Sequence, residues 1–109
     1  MASDQDYLTY ITEQLSGLPE IRSRAMMSEY ILYYRGRIFG GIYDNRFLVK
    51  ATPAACSMLP GAVREVPYEG AKKMLLVPDP DDRDLLVQLI SAMYDELPEP
   101  KQRKKAGQP

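Results

Sequence analysis

The chain has 109 residues, 45 % of them hydrophobic and 27 % charged, with a net charge of −1; that is room for one globular domain and excludes a multidomain or strongly basic protein. A single cysteine, Cys56, excludes an internal disulfide, and the absence of histidine removes the usual metal ligand and the commonest general base near neutral pH. No apolar run approaches the roughly 18 residues of a membrane span, and the acidic start Met1-Ala2-Ser3-Asp4-Gln5-Asp6 is the reverse of a signal peptide, so a cytoplasmic protein with no membrane partner is expected.

In chain order, Leu8, Ile11, Leu15 and Leu18 recur at spacings of three and four, which predicts an amphipathic helix near 4–16 with Ser3 as its cap and Gly17 and Pro19 as its stop. A strand is expected at about 21–27. Tyr30–Tyr34, Ile38–Tyr43 and Phe47–Val49 are β-prone runs separated by Arg35-Gly36 and Asp44-Asn45, residues that tolerate the positive φ of tight hairpins, so the region reads as an antiparallel meander. Alternation places Tyr30, Leu32 and Tyr34 on one face and Ile31 and Tyr33 on the other; on the next strand it sets Ile38, Gly40 and Ile42 against Phe39, Gly41 and Tyr43. Both faces are apolar, and the eight tyrosines suit half-exposed surfaces.

Thr52-Pro53 reads as a cap and first residue of a short helix through Leu59. Val63–Lys72 is a loop or irregular strand, and Met74–Val77 a last strand ended by Pro78. One of Asp79, Asp81 or Asp82 then caps a helix whose Leu85, Leu86, Leu89, Ile90, Met93 and Leu97 form one broad apolar face. The fold class is therefore α+β: two layers, an antiparallel β-meander sheet with flanking N- and C-terminal helices, over residues 1–97. Residues 98–109, polar, basic and rich in proline, read as a disordered tail.

Charge is divided along the chain. Residues 1–96 hold 10 Lys/Arg against 14 Asp/Glu, a net −4, and residues 97–109 hold four Lys/Arg against Glu99, a net +3. An acidic body disfavours direct nucleic-acid binding, whose affinity rests on phosphate contacts.

Candidate chemistry is sparse. Cys56 has no imidazole partner and reads as a small apolar residue of its helix. Gly40-Gly41 lies within a strand and does not open a helix, so it reads as close approach across the sheet or a bulge, not a phosphate loop. The acids Asp79, Asp81, Asp82 and Asp84 read as a cap and dipole-favourable charges at a helix start. Arg22 and Arg24 share one strand face and Arg35 and Arg37 flank a turn; with Tyr30, Tyr33, Tyr43 and Tyr68 they are the candidate partner-binding residues, a small basic patch beside aromatic rings. A second possibility is a small-molecule binder or enzyme built on Arg24, Tyr68 and Glu69. No cofactor is called for.

From Arg24 to Lys50 the sequence, Arg-Ala-Met-Met-Ser-Glu-Tyr-Ile-Leu-Tyr-Tyr-Arg-Gly-Arg-Ile-Phe-Gly-Gly-Ile-Tyr-Asp-Asn-Arg-Phe-Leu-Val-Lys, resembles the N-terminal domain of the TfoX/Sxy family. Leu59-Pro60, Pro67-Tyr68-Glu69-Gly70-Ala71-Lys72 and the ending Met93-Tyr94-Asp95-Glu96-Leu97-Pro98 fit the same pattern, so the resemblance spans about 5–98. It implies a two-layer α+β fold, a bacterial source and a link to regulation of competence for DNA uptake. Full-length members are thought to act as coactivators beside the cyclic-AMP receptor protein. Two departures stand out: Ser28 replaces the usual Gly, and a short tail stands where full-length regulators carry a second domain. The expectation is a non-enzymatic regulatory interaction module, homodimeric or bound to a protein partner such as a transcription regulator through its Tyr-rich sheet face.

Overall fold

The computed structural model of the chain describes residues 4–27 and 29–98. The readings of Ser3 as a cap, of Ser28 and, past Pro98, of the disordered tail over 98–109 fall outside these residues. Helix α1 (Gln5–Gln14) starts at Asp4, which holds the N-cap position in extended backbone, and its apolar stripe seats Ile11 and Leu15 in the core. Four strands follow as a meander: β1 (Ile21–Met26), β2 (Glu29–Tyr34), β3 (Arg37–Ile42) and β4 (Phe47–Val49). The turns between them are tight for the reason read in the sequence. Arg35 and Gly36 have φ of 52° and 83°, and Asp44 and Asn45 have 55° and 56°, the left-handed pair that matches the twist of a two-residue hairpin.

Helix α2 (Pro53–Met58) is capped by Thr52, whose Oγ1 accepts from Ala55 N at 3.1 Å. Strands β5 (Arg64–Glu65) and β6 (Met74–Leu76) complete an antiparallel sheet of order β1-β2-β3-β4-β6-β5. Helix α3 (Arg83–Met93) is capped by Asp82, which accepts from Leu85 N, and ends in a single 3-10 turn, Tyr94–Glu96.

All three helices lie on one face of the sheet. Ile11 and Leu15 of α1, Ala55 of α2 and Leu86, Leu89, Ile90 and Met93 of α3 form one core with Leu32, Phe39, Ile42, Phe47, Val49 and Leu75. Burying side chains of this size at about 25 cal/mol per Å² is the main stabilising contribution. Polar ties lock the helices at their ends. Gln14 donates to Pro80 O and accepts from Arg83 Nε, and the Tyr10 hydroxyl donates to Asp81.

One register detail corrects the simple alternation of β3. Leu32 lies opposite Gly40, but Tyr33 lies opposite Ile38, so Phe39 is an extra residue, a β-bulge. An added residue shifts the in–out pattern by one. Phe39 therefore joins Ile42 in the core, while Ile38 turns to the opposite face. The two glycines are explained by contact, as the sequence suggested. A Cβ on Gly40 would lie 2.2 Å from Leu48 O, and one on Gly41 would lie 2.6 Å from Tyr30 O and 2.7 Å from Cε2 of Tyr43.

Candidate functional site

The face of the sheet without helices is the candidate site. Cross-strand pairing defines its rows: Arg22 beside Tyr33 and Ile38, and Arg24 beside Ile31, Gly41 and Leu48. Among the described residues its cover is the segment after β5, which turns through Pro67, Tyr68 and Ala71 before entering β6. Between this segment and the strands lies a cleft of about 460 Å³. Ile31, Ile38, Tyr43 and Met74 supply its apolar lining, and Lys50, Lys72 and Lys73 its formal charges.

Tyr43 anchors the cover. Its ring lies over Gly41, where a side chain would collide, and 6.1 Å from the Tyr68 ring. Burial holds the Tyr43 phenol above its ordinary value of 10.0, with Tyr68, Glu29 and Tyr33 adding to the same direction. Tyr68 is 55 % and Met26 38 % exposed, so the mouth of the cleft keeps large apolar surface in water.

The structure divides the residues singled out in the sequence. Arg22, Arg24, Tyr33 and Tyr68 gather on the helix-free face or its cover. Tyr30 does not: it lies opposite Ile42 and packs against the helix-side core. Tyr43 is on the helix-free face but only 6 % exposed, sealed by Tyr68, so it is a framework residue and not a contact surface. Arg35 and Arg37 stand on the helix side, apart from Arg22 and Arg24. The Arg37 guanidinium donates to Tyr94 O and Leu97 O and sits 4.4 Å from the Tyr94 ring centroid, where it closes the C-terminal end of α3. The expected four-arginine patch is therefore two separate pairs on opposite faces. Sequence reasoning missed Lys50, Lys72 and Lys73; they stand next to strand ends, and only the folding-over of 66–73 brings them to one cleft.

Several acids have structural tasks. Asp82 caps α3, Asp81 accepts from Tyr10, Glu65 pairs with Arg46, and Glu96 accepts from Ala54 N at the start of α2. Glu29 accepts from Asp44 N at 3.1 Å. Cys56 is half-buried on α2, packed against the core, and Arg64 donates to its sulfur at 3.5 Å. Arg24 and Glu69 do not line the cleft, so the trio Arg24, Tyr68 and Glu69 is not assembled around it. Among the described residues no three His, Cys, Asp or Glu side chains converge to hold a metal ion, and no helix is long and apolar enough to cross a membrane.

The TfoX N-terminal domain family matches residues 13–96. A relative from Spirochaeta aurantia, described as an uncharacterized 12.7 kDa protein in the trpE 5′ region, is 33 % identical over 109 residues, spanning 95 % of this chain and 91 % of its own.

Proposed function

This chain belongs to the TfoX N-terminal domain family, and from that premise we propose that it is a non-catalytic regulatory module that holds a protein partner on the helix-free face of its sheet. The observation that carries this reading is the unequal cover of the two faces. Among the described residues three helices close one side, whereas the other has a single short segment and leaves Met26 and Tyr68 exposed at the mouth of an apolar cleft. Exposed apolar surface rimmed by charge is the usual mark of an interaction site. The finer reading, a coactivator that contacts a transcription regulator during competence, follows from the family resemblance. In line with the acidic body, the contact is with protein and not directly with nucleic acid.

Photo-crosslinking tests this. A benzoylphenylalanine at Tyr68, on the helix-free side, should yield a discrete adduct in cells, and the same group at Thr9, exposed on α1, should not. Equal capture from both positions, or none from Tyr68, would overturn the reading. Light scattering on the purified chain reports separately whether the partner is a second copy. The cleft itself supports a second reading, a small apolar anion held by Lys50, Lys72 and Lys73, since its volume falls within the range of ligand pockets. Thermal stabilisation by short-chain carboxylates that is lost in Lys72→Gln would favour that alternative.

A further inference from the structure

Strand β1 is an open edge with an unusual composition. It pairs with β2 on one side and, among the described residues, ends the sheet on the other. Arg35 N donates to Glu20 O at 3.2 Å, so these two directly opposed residues form a hydrogen-bonded pair. In an antiparallel ladder such pairs alternate. Arg22, Arg24 and Met26 therefore turn their backbone groups toward β2, and Ile21, Ser23 and Ala25 turn theirs off the sheet. Every residue from Arg22 to Met26 is exposed.

The side chains on the helix-free face of this strand are Arg22, Arg24 and Met26. Their neighbours on β2 are Tyr33, Ile31 and Glu29. Among the described residues neither arginine forms an ion pair with an acid, and the acid on the neighbouring strand, Glu29, faces Met26 and accepts from Asp44 N. Charges on an edge discourage indiscriminate pairing. The same charges select among strands that do pair, because opposite charges facing each other stabilise a ladder and like charges weaken it.

That selection rejects two occupants. A second copy adding antiparallel about a two-fold axis would set Arg22 against Arg24, or Arg24 against its own equivalent, in the two registers that pair most of the strand. The chain's own C-terminal stretch is no better suited, because residues 97–109 carry a net +3.

We propose that β1 receives an extended acidic segment of a partner protein as a seventh strand, antiparallel to β1. This rests on the reading that a protein docks on the helix-free face, and it names the chemistry of that protein. The incoming backbone bonds to Ser23 and Ala25. Residues opposite Met26, Arg24 and Arg22 then fall in non-hydrogen-bonded positions, where side chains approach most closely. Read from its N-terminus, the segment is apolar, any residue, acidic, any residue, acidic. The apolar side chain reaches Met26 at the lip of the cleft, and the two carboxylates meet the arginines.

Fluorescence anisotropy with short synthetic peptides tests the proposal on the intact chain. A peptide with the core Leu-Thr-Glu-Thr-Glu should bind at least about tenfold more tightly than its Leu-Thr-Lys-Thr-Lys counterpart. The Arg22→Glu, Arg24→Glu double variant should reverse that order. Methylating the backbone nitrogen between the two glutamates removes the donor to Ser23 while keeping both charges, and binding should be lost. Equal binding of the acidic and basic peptides, an unreversed order in the double variant, or undiminished binding of the methylated peptide would each overturn the acidic-strand assignment. So would no binding by any peptide. The Tyr68 crosslink decides the underlying docking reading separately, since an adduct there survives all of these failures.

Discussion

On the helix side of the sheet, Leu32, Phe39, Ile42 and Phe47 are lost to solvent beneath Leu86, Leu89, Ile90 and Met93; on the other side, Ile31, Ile38 and Met74 stay half-buried around a cleft. Both faces are apolar. They differ in what covers them, ordered helices in one case and a short segment pinned by Tyr68 against Tyr43 in the other. A face closed by interlocking helices is a packed interior, where each methylene has neighbours on all sides. A face closed by one segment keeps surface available and can be remodelled at small cost. The division of labour we propose, stability on one face and recognition on the other, rests on that difference.

The sharpest way to break this comparison is to truncate a large side chain on each side. Leu89→Ala on α3 should destabilise the fold by about 3 kcal/mol in urea unfolding, because the cavity lies in a filled core. If the loss were below about 1 kcal/mol, the helix layer would not be the stabilising side. Gly41→Ala comes next. Its Cβ would press on Tyr30 O and the Tyr43 ring, so a cost of about 2 kcal/mol is expected, with loosening of the Tyr68 cover seen as faster amide exchange in 66–71. Thr52→Ala removes the bond to Ala55 N and should cost about 1 kcal/mol. Tyr68→Ala, on the open side, should cost under about 1 kcal/mol in the same unfolding experiment.

The alkaline limb sharpens the comparison further. Tyr43 is protonated more firmly in the folded chain than in the unfolded one, so its contribution to stability is complete below pH 10.0 and declines as pH rises through its raised folded value. In Tyr68→Ala the phenol is less buried, and ultraviolet titration should show Tyr43 ionising closer to its ordinary range. Tyr10 behaves similarly for another reason. Its hydroxyl donates to Asp81, which pushes it up to about 12, and Asp81→Asn should bring its titration down. A Tyr10 transition that stayed near 12 in that variant would remove the tie between α1 and the start of α3.

Much of the frame was legible in residue order. The spacing of Ile11, Leu15 and Leu18, the turn residues Arg35-Gly36 and Asp44-Asn45, and the Thr52-Pro53 start of α2 are local signals, each decided by a few neighbouring dihedrals and hydrogen bonds. The candidate site was legible only in part. Arg22, Arg24 and Tyr33 follow from alternation, whereas Tyr30, Arg35 and Arg37 looked equally eligible until the helices took their side. Gly40-Gly41 marks either a bulge or a close approach, but residue order does not place the extra residue at Phe39, whose ring turns inward to meet Phe47 in the core.

Residue order alone determined the main helices and strands, the hairpin turns, the Thr52 cap, the α+β class and the family, since these depend on short-range sterics and on a pattern of types along the chain. Tertiary structure alone decided which face the helices would take, that β6 would insert between β4 and β5, and that 66–73 would fold back to gather three lysines above Ile31 and Ile38. Those outcomes depend on contacts between residues far apart in the chain. Their energies compare whole alternative packings, and no local window of sequence contains that comparison.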